Sequence, residues 1–247
     1  MTNSILVTGG TGRLGRALVP RLVSDGHAVR VLSRRPPPDE RTRRGDLLTG
    51  AGLADAVDGV DVIVHCATSN GRSDVDGTRN LIQAATRAGR PHLVYVSIVG
   101  VDRVGLSYYK AKLACERLVE QSGLPWTIQR TTQFHELIVW MCTSQRWSPV
   151  IVMPRGVSFQ PVDAGEVAAR LAELAAASPA GRAQDLGGPE VRPAADLARA
   201  YVRSRSGRRP VVSVPIPGAG MRGYREGAHL APEHADGRIT FEQFLAA

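Results

Sequence analysis

The fold is decided near the start of the chain, by the stretch Ser4-Ile5-Leu6-Val7-Thr8-Gly9-Gly10-Thr11-Gly12-Arg13-Leu14-Gly15. Residues 4–8 form a short apolar run that is typical of a buried strand, and three spaced glycines follow at once. Leucine and valine then recur at helical spacing up to a stop at Asp25-Gly26, and residues 28–32 have the pattern of a second strand. A strand, a glycine turn, a helix and a second strand in this order predict a βαβ unit with a right-handed crossover.

Gly9, Gly12 and Gly15 stand in a G-x-x-G-x-x-G pattern between the strand and the helix. Glycine allows a tight turn, close approach of a pyrophosphate to the backbone, and contact between helix and strand. The helix N-terminus adds free N–H groups and the positive end of the helix dipole. The pattern therefore predicts a dinucleotide site; the alternative is a glycine-rich turn that binds nothing.

The end of the second strand indicates which nucleotide to expect. A site for NAD usually has a carboxylate there for the ribose 2′-hydroxyl, whereas arginine accommodates a 2′-phosphate. This strand runs into Ser33-Arg34-Arg35, and no carboxylate precedes Asp39. Because Arg34 can donate bidentate hydrogen bonds to a phosphate, we expect NADP(H) in preference to NAD(H). The alternative is that an arginine-rich composition placed these residues there by chance.

Strands and helices continue to alternate up to about residue 130. Helices are expected over 53–57, 74–88 and 108–122, strands over 60–65, 92–96 and 126–129, and a loop over 35–44. Such alternation implies an α/β fold with a parallel sheet that is covered by helices on both faces.

Beyond residue 131 the alternation loosens. We expect helices over 134–147, 164–176 and 194–204, short strands over 150–152, 157–159 and 211–214, and a pair of short C-terminal helices. We therefore predict that residues 1–130 form an NAD(P)-binding core. Residues 131–247 are expected to form a small substrate-side subdomain that packs on this core as part of a single integrated unit.

The chain is basic, and nearly all of its positive charge comes from arginine. Its 31 basic and 23 acidic side chains give a net charge of +8, and lysine occurs only as Lys110 and Lys112. Aromatic residues make up 5% of the chain and do not interleave with the arginines, so a stacking surface for single-stranded nucleic acid is not expected. We interpret the arginines as spread over solvated faces and expect no nucleic-acid partner.

The composition argues against several other classes of protein. No window approaches the run of about 18 apolar residues that a membrane-spanning helix needs, so no membrane partner is expected. Three scattered cysteines and six scattered histidines lack metal-ligand spacing, which favours a reducing compartment without disulfides or a metal site. We expect His229 and His234 at the surface. No basic region precedes the first strand, so we expect no signal peptide and a cytoplasmic location.

Several motifs resemble those of the extended and atypical short-chain dehydrogenase/reductases. They are the glycine run, Gly45-Asp46-Leu47, Asp76-Gly77-Thr78-Arg79-Asn80-Leu81 and Tyr108-Tyr109-Lys110-Ala111-Lys112. Similarity to the NmrA-like, NAD(P)-binding branch rests on Gly123-Leu124-Pro125-Trp126-Thr127, Thr132-Gln133-Phe134-His135 and Gly187-Gly188-Pro189-Glu190. The resemblance covers nearly the whole chain and implies a Rossmann-type doubly wound parallel sheet that binds NADP(H).

The resemblance also implies which residues meet the cofactor. Asp46 and Leu47 would border the adenine, Cys66-Ala67-Thr68 would line the ribose and pyrophosphate, and Val96-Ser97 would end a strand beneath the nicotinamide. The full set of expected cofactor residues is Gly9, Thr11, Gly12, Arg13, Leu14, Gly15, Ser33, Arg34, Asp46, Leu47, Cys66, Ala67, Thr68 and Lys112.

Tyr108 and Lys112 stand four positions apart, so they share one face of the predicted helix. An ammonium there stabilises a phenolate and lowers a tyrosine pKa from about 10. The tyrosine could then exchange a proton with the substrate oxygen while a hydride moves to or from the nicotinamide, and the lysine would hold the cofactor ribose. The alternative is a surface ion pair between Lys112 and Glu116, with Tyr108 merely packed. Lysine in a chain that otherwise uses arginine favours the site.

Two positions depart from the family pattern. The family's serine is expected near the end of the preceding strand, where Ser97 is the candidate and Ile98 the alternative. Asp76 stands where the family has asparagine, and it could serve a proton relay or cap the helix. The predicted catalytic set is therefore Tyr108, Lys112, Ser97 and Asp76.

The substrate is expected to lie against Gln133, Phe134, His135 and Trp140. His135 is a candidate auxiliary acid/base, although a histidine in such a place is more often a structural hydrogen-bonding residue.

The predicted function is that of an NADP(H)-dependent oxidoreductase acting on a small organic carbonyl or alcohol. An epimerase or dehydratase that uses the nicotinamide transiently belongs to the same prediction. The alternative is a non-catalytic redox sensor of the NmrA type, which binds NADP(H) and changes its affinity for a protein partner. The sequence leaves the substrate, the direction of hydride transfer and the oligomeric state, monomer or dimer, open.

Overall fold

A computed structural model describes residues 2–35, 39–69 and 71–247. The strands, in chain order, are β1 Ser4–Thr8, β2 Ala28–Ser33, β3 Thr42–Arg44, β4 Val62–His65, β5 His92–Ile98, β6 Trp126–Thr131, β7 Ile151–Pro154, β8 Ser158–Phe159, β9 Gly181–Arg182, β10 Arg192–Pro193 and β11 Val211–Val214. The helices are α1 Arg13–Ser24, α2 Leu53–Val57, α3 Ser73–Arg87, α4 Ser107–Glu120, α5 His135–Thr143, α6 Ala164–Ala176, α7 Ala194–Ser204, α8 Ala219–Arg225 and α9 Phe241–Ala246, with a 3-10 helix at Pro232–His234.

Seven strands form one sheet in the order β3-β2-β1-β4-β5-β6-β9. β1 pairs in parallel with β2 on one side and with β4 on the other. The strand order therefore reverses at β1, and ligands of doubly wound sheets bind beyond the carboxyl ends of the strands at such a point. The predicted α/β class, with a Rossmann-type doubly wound parallel sheet, is confirmed.

Helices cover the sheet in two groups, because α1 contacts α6 whereas α3 contacts α2 and α4. The main apolar core under the second group joins Leu6, Ile63 and Leu93 of the strands to Leu81 of α3 and Val119 of α4. β4 is buried along its whole length, which explains its unbroken apolar run. The core thus fixes the strand ends that carry the candidate site.

The chain divides into two compact units. Unit 1 comprises Met1–Ser97, Ser107–Arg130 and Ala164–Gln184, and unit 2 comprises Ile98–Leu106, Thr131–Asp163 and Asp185–Ala247. Unit 2 has its own apolar cluster, which includes Ile138, Phe159 and Phe241. The chain passes between the units at several points, so each unit is assembled from separate segments.

The structure differs from the predicted elements at β3 and α5, and its short strands β9 and β10 lie where no strand was expected. β3 lies within the predicted loop over 35–44, because a three-residue edge strand with one buried side chain shows no apolar alternation, and backbone pairing with β2 creates it. The part of that loop over 36–38 lies outside the described residues. α5 ends at Thr143 instead of residue 147, because the side chain of Gln145 turns back to bond both backbone groups of Val152 in β7.

Across the described ranges, no helix has both the length and the apolar character needed to cross a bilayer. The same residues bring together no group of three or more side chains that could hold a metal ion.

Candidate active site

The glycine turn between β1 and α1 forms a cradle at the N-terminus of α1. Gly9 has a φ of 71°, and a Cβ on it would lie 2.7 Å from the backbone nitrogen of Ala67. A Cβ on Gly15 would overlap the carbonyl oxygen of Gly9, so both positions require glycine. Gly12 begins α1 without a side-chain cap, and the first turn carries no acidic residue. The free N–H groups at this helix end suit a pyrophosphate.

The loop after β4 lies directly against this cradle. The backbone nitrogen of Cys66 donates to the carbonyl oxygen of Thr8 at 3.2 Å, and that of Ala67 donates to Thr8 Oγ1 at 3.3 Å. Burial raises the pKa of the Cys66 thiol to about 12 against the opposing effect of Lys112, so the thiol is neutral. Within the cradle, Thr11, Gly12 and Arg13 are exposed, whereas Leu14 and Gly15 are buried.

Exposed arginines stand at the carboxyl ends of β2 and β3. Arg34 follows β2, and the register of β3 places Arg44 beside Ser33, the last residue of β2. Neither Arg34 nor Arg44 forms an ion pair with any residue that the structure describes. Two unpaired guanidinium groups suit a phosphate dianion. Sequence reasoning missed Arg44 because it missed β3.

The turn at Asp46 and Leu47 is fixed from both sides. Asp46 Oδ1 accepts a hydrogen bond from the backbone nitrogen of Leu48 at 2.8 Å. Asn80 of α3 donates its side-chain amide to the carbonyl oxygens of Leu47 at 2.8 Å and Leu48 at 2.9 Å. This explains why asparagine follows the Gly77-Thr78-Arg79 run: it anchors the turn.

Lys112 is buried on α4, one helical turn after Tyr108. Its side chain is 5% exposed, its Nζ donates to the carbonyl oxygen of Val96 at 2.9 Å, and the ammonium lies 4.8 Å from the centroid of the Tyr95 ring. Burial lowers the pKa of Lys112, while Cys115, Asp74, Cys66 and Glu116 oppose that shift. Tyr108 is half-buried in the first turn of α4. Burial is the main cause that raises the pKa of the Tyr95 phenol, and the nearby Tyr108 raises it further.

The surface ion pair between Lys112 and Glu116 is not formed. Glu116 is fully buried and accepts two hydrogen bonds from Arg130, at 2.9 and 2.7 Å. Arg182 adds a third contact at 3.2 Å. Glu116 therefore ties α4 to β6 and β9, and Lys112 is left to face the ends of β4 and β5.

Ser97 and Asp76 occupy very different surroundings. Ser97 Oγ, at the end of β5, is buried and has no hydrogen-bond partner among the described residues. The Asp76 side chain is 63% exposed and forms a salt bridge with Arg79 at 2.7 Å. Asp74, two residues earlier, is the carboxylate of α3 that influences Lys112. It accepts hydrogen bonds from Thr68 Oγ1 and Ser69 Oγ, both at 2.6 Å. Burial opposes ionisation of Asp74, but these hydrogen bonds and Lys112 lower its pKa overall.

His65, which sequence reasoning took only as the end of a strand, lies at the centre of a buried line of hydrogen bonds. Its Nδ1 is 2.6 Å from Thr8 Oγ1, and its Nε2 is 3.1 Å from Thr78 Oγ1. Thr78 Oγ1 donates to the carbonyl oxygen of Asp74 at 2.7 Å, so it accepts from His65, and we assign the proton to Nε2. Burial, with a contribution from Lys112, lowers the pKa of His65 to about 3. The ring is neutral and connects the glycine turn to α3.

The predicted substrate residues lie in unit 2. Gln133 donates its side-chain amide to the carbonyl oxygen of His229 at 3.1 Å. Phe134 directly precedes α5, and Trp140 is 63% exposed on it. His135 is fully buried, with Nε2 3.0 Å from the carbonyl oxygen of Ile239 and its ring stacked on Phe244 at 4.9 Å. This hydrogen bond fits the structural alternative for His135, and its role as an auxiliary acid/base stays a prediction.

His229 is not at the surface, so that expectation was wrong. Its side chain is fully buried, its Nε2 lies 2.8 Å from the carbonyl oxygen of Ser158, and its ring lies 4.2 Å from that of Tyr224. Burial lowers the pKa of His229 to about 4. A scattered histidine without a ligand motif carries no signal of its burial in the sequence.

A family model described as NAD(P)H-binding matches residues 9–137, more than half of the chain. The chain belongs to this NAD(P)H-binding family. The NAD(P)-binding that the resemblance implied is thereby confirmed, and the fold is similar to that of a short-chain dehydrogenase/reductase superfamily protein of Agrobacterium tumefaciens, with a TM-score of 0.74 at 22% identity. The glycine cradle, whose close contacts admit no Cβ, fits the cofactor that this family binds.

Similar proteins come from several bacteria. A (4-alkanoyl-5-oxo-2,5-dihydrofuran-3-yl)methyl phosphate reductase of Streptomyces griseus is 32% identical over 204 residues, which is 75% of this chain and 68% of that protein. An uncharacterized protein of Mycobacterium bovis is 32% identical over 133 residues, 51% of this chain, but the chain spans only 14% of its length. An NADPH-dependent quinone oxidoreductase of Escherichia coli, solved with NADPH, has a TM-score of 0.84 at 18% identity, with 98% of each chain covered. This last likeness shows the fold alone.

Proposed function

We propose that this protein is an NADP(H)-dependent oxidoreductase that acts on a small organic carbonyl or alcohol. The observation that supports the proposal best is Lys112, one of two lysines in the chain, buried one helical turn from Tyr108 at the carboxyl ends of the strands. A buried, partly compensated cation beside a tyrosine is the arrangement expected of an acid/base pair.

The described residues suggest how NADP(H) would be held. The cradle at Gly9 and Gly12 would take the pyrophosphate, and the turn at Asp46 and Leu47 would border the adenine. Arg34, with Arg44, would take the 2′-phosphate, which favours NADP(H) over NAD(H). The NADPH-dependent quinone oxidoreductase of similar fold agrees with this preference.

In the reducing direction, Tyr108 would donate its phenolic proton to the carbonyl oxygen of the substrate. NADPH, when bound, would supply the hydride for the carbonyl carbon, and the product would be an alcohol. The phenolate left on Tyr108 would be stabilised by the Lys112 ammonium, whose remaining N–H donors would hold the cofactor ribose. In the oxidising direction, and in a transient-redox epimerase or dehydratase, Tyr108 would accept the proton instead.

Two supporting roles are part of the proposal. Ser97 Oγ, which is buried without a partner among the described residues, would donate to the substrate oxygen beside Tyr108. Asp74 would help to keep Lys112 charged, whereas Asp76, for which a proton relay or a helix cap was predicted, forms a salt bridge with Arg79 at the surface. Gln133, Phe134 and Trp140 of unit 2 remain candidates for substrate recognition.

The test is NADPH consumption on a panel of quinones, ketones and aldehydes. We expect turnover in the wild type, its loss in Tyr108→Phe, and its retention in Tyr109→Phe, the matched control at the neighbouring buried tyrosine. Full turnover by Tyr108→Phe would refute the acid/base role. NADPH binding, seen as protection against thermal unfolding, without turnover on any substrate would favour the alternative of a cofactor-binding regulator.

A further inference from the structure

Lys112 is a buried cation whose positive charge is only partly balanced by the groups around it. Its ammonium has three N–H donors, and the structure gives one of them a backbone acceptor, the carbonyl oxygen of Val96. Among the described residues, Lys112 forms no ion pair. A lysine buried in this way tends to lose its proton, and burial indeed lowers the pKa of Lys112.

The charged and titratable groups around Lys112 belong to four elements. They are Asp74 of α3, His65 and Cys66 at the end of β4, Tyr95 of β5, and Tyr108, Cys115 and Glu116 of α4. The two carboxylates are engaged elsewhere, Asp74 by hydroxyl groups and Glu116 by arginines. The Cys66 thiol is neutral, because burial raises its pKa to about 12. His65 is neutral as well, so it adds no competing positive charge.

The Tyr95 ring is the remaining group in direct reach of the ammonium. Nζ lies 4.8 Å from the ring centroid, within the distance of about 6 Å at which a cation is attracted to an aromatic face. The ring is 1% exposed and rests against the His65 ring, with centroids 5.5 Å apart. Its hydroxyl group lies close enough to Cys115 for that residue to raise the pKa of the phenol, after burial as the main cause. The ring therefore cannot turn away from Lys112 without giving up its contact with His65.

We propose that the aromatic face of Tyr95 keeps Lys112 protonated in its buried place, which makes Tyr95 a positioning residue that acts through Lys112. The effect on charge stands by itself, whereas the consequence for catalysis rests on the proposed function. The ring face supplies the attraction that a carboxylate would otherwise give. It leaves the ammonium's other N–H donors free for a ligand, which an ion pair would occupy.

The scarcity of lysine makes the charge of Lys112 directly measurable. With lysine isotopically labelled at the ε-carbon, the spectrum of the protein contains two signals, one from buried Lys112 and one from exposed Lys110 as internal reference. An NMR titration follows the pKa of each without substrate or turnover. We expect Tyr95→Leu to lower the pKa of Lys112 by about one unit, a tenfold change in its proton affinity, while the pKa of Lys110 stays unchanged. Tyr95→Phe, which retains the ring, should leave the pKa of Lys112 close to that of the wild type.

Two further variants separate the ring's electrostatic effect from the loss of a buried side chain. Tyr109→Leu removes another buried ring, three residues before Lys112 on α4, and should leave the pKa of Lys112 unchanged. Tyr95→Met offers a larger apolar side chain if Tyr95→Leu does not fold, and it should lower the pKa like leucine. The inference is overturned if Lys112 titrates alike in the wild type and in the folded leucine or methionine variant, or if Tyr95→Phe behaves like them.

An activity measurement then tests the positioning role. In the oxidising direction, the rate rises with pH as Tyr108 loses its proton, and Tyr95→Leu should move this rise to higher pH by up to about one unit. An unchanged pH profile, combined with a lowered pKa of Lys112, would overturn the positioning role while keeping the effect on charge. Failure of the proposed function itself would appear separately, as turnover that survives Tyr108→Phe.

Discussion

In unit 1, the buried polar side chains near Lys112 bond largely to one another: His65 lies between the hydroxyl groups of Thr8 and Thr78. In unit 2, the buried polar side chains bond to the backbone. The Gln160 amide donates to the carbonyl oxygens of Gly188 and Ala231, at 2.9 and 3.0 Å, and accepts from the backbone nitrogen of Ala231 at 2.8 Å.

This difference in hydrogen-bond partners indicates two roles for buried polar side chains, one in acid/base chemistry and one in holding the fold together. Side chains that bond to each other around a buried charge set the protonation state of that charge. Side chains that bond to backbone groups hold segments together, and nothing about them needs to change during a reaction. Substitutions in the first group should therefore affect activity more than stability, and substitutions in the second group should do the opposite.

The largest effect is expected from Lys112→Met, which removes the buried charge. The turnover number should fall by about 10²–10⁴-fold, because Tyr108 loses the cation that stabilises its phenolate. The free energy of unfolding should not fall, since an ammonium with few partners is replaced by an apolar chain. Steady-state kinetics and urea denaturation measure the two quantities. Lys110→Met, at the other lysine, is the control and should change neither the turnover number nor the free energy of unfolding. A large fall in the free energy of unfolding of Lys112→Met would contradict the distinction between the two groups of polar side chains.

Gln160→Ala should show the reverse pattern in unit 2. The substitution leaves two carbonyl oxygens and one N–H group without the hydrogen bonds that Gln160 gives them in the wild type. The free energy of unfolding should therefore fall by about 3 kcal/mol. The affinity of the folded protein for NADPH, measured by calorimetry, should remain. Gln121→Ala, at an exposed glutamine, is the matched control. Loss of cofactor affinity by the folded Gln160 variant would show that the two kinds of polar group are not separable.

Acid should destabilise both units through their buried histidines. The folded-state pKa values of His65 and His229 are about 3 and about 4, below the unfolded value near 6.5, so the unfolded chain binds more protons. Stability is therefore complete above that unfolded value and falls as the pH drops toward the folded values. Each histidine should remove about 2 kcal/mol between about pH 7 and about pH 5. Urea titrations at both pH values measure this loss, and His229→Asn should reduce it by about half; an unchanged loss would contradict the assignment.

The smallest effect is expected at the edge of unit 1. Arg34→Gln should weaken NADPH binding by about tenfold and leave NADH binding unchanged, because the loss is confined to a hydrogen-bonded 2′-phosphate. Isothermal titration with both cofactors gives the comparison. Arg21→Gln, at an exposed arginine in the last turn of α1, should alter neither affinity. Equal weakening toward NADH would place Arg34 outside the 2′-phosphate site.

Most of the fold could be predicted from the sequence. α6 and α7 have the predicted bounds of 164–176 and 194–204, because alanine-rich amphipathic runs with clear ends leave little choice. β3 could not be predicted, since Thr42-Arg43-Arg44 has no apolar pattern and pairs through its backbone. The division into units also could not be predicted from the sequence, because residues 164–184 belong to unit 1 although they follow a segment of unit 2.

The candidate site could be predicted in part. The four-residue spacing of Tyr108 and Lys112, together with the rarity of lysine, is enough to single out the pair in the sequence. The spacing could not show that Tyr95 and the carbonyl oxygen of Val96 receive the ammonium, because those contacts depend on how α4 crosses the end of β5. Nor could it separate Asp74 from Asp76, which a rotation of α3 places on different sides of the helix.

The proposed function depends most on Tyr108 and Lys112 forming an acid/base pair. Ultraviolet titration of the phenols in the NADP-bound protein tests this without a substrate, because a phenolate absorbs differently from a phenol. Of the five tyrosines, one should ionise well below the ordinary value of about 10, and this step should vanish in both Tyr108→Phe and Lys112→Met. If the early step is absent from the wild type, or persists in Tyr108→Phe, the pair is not the acid/base centre.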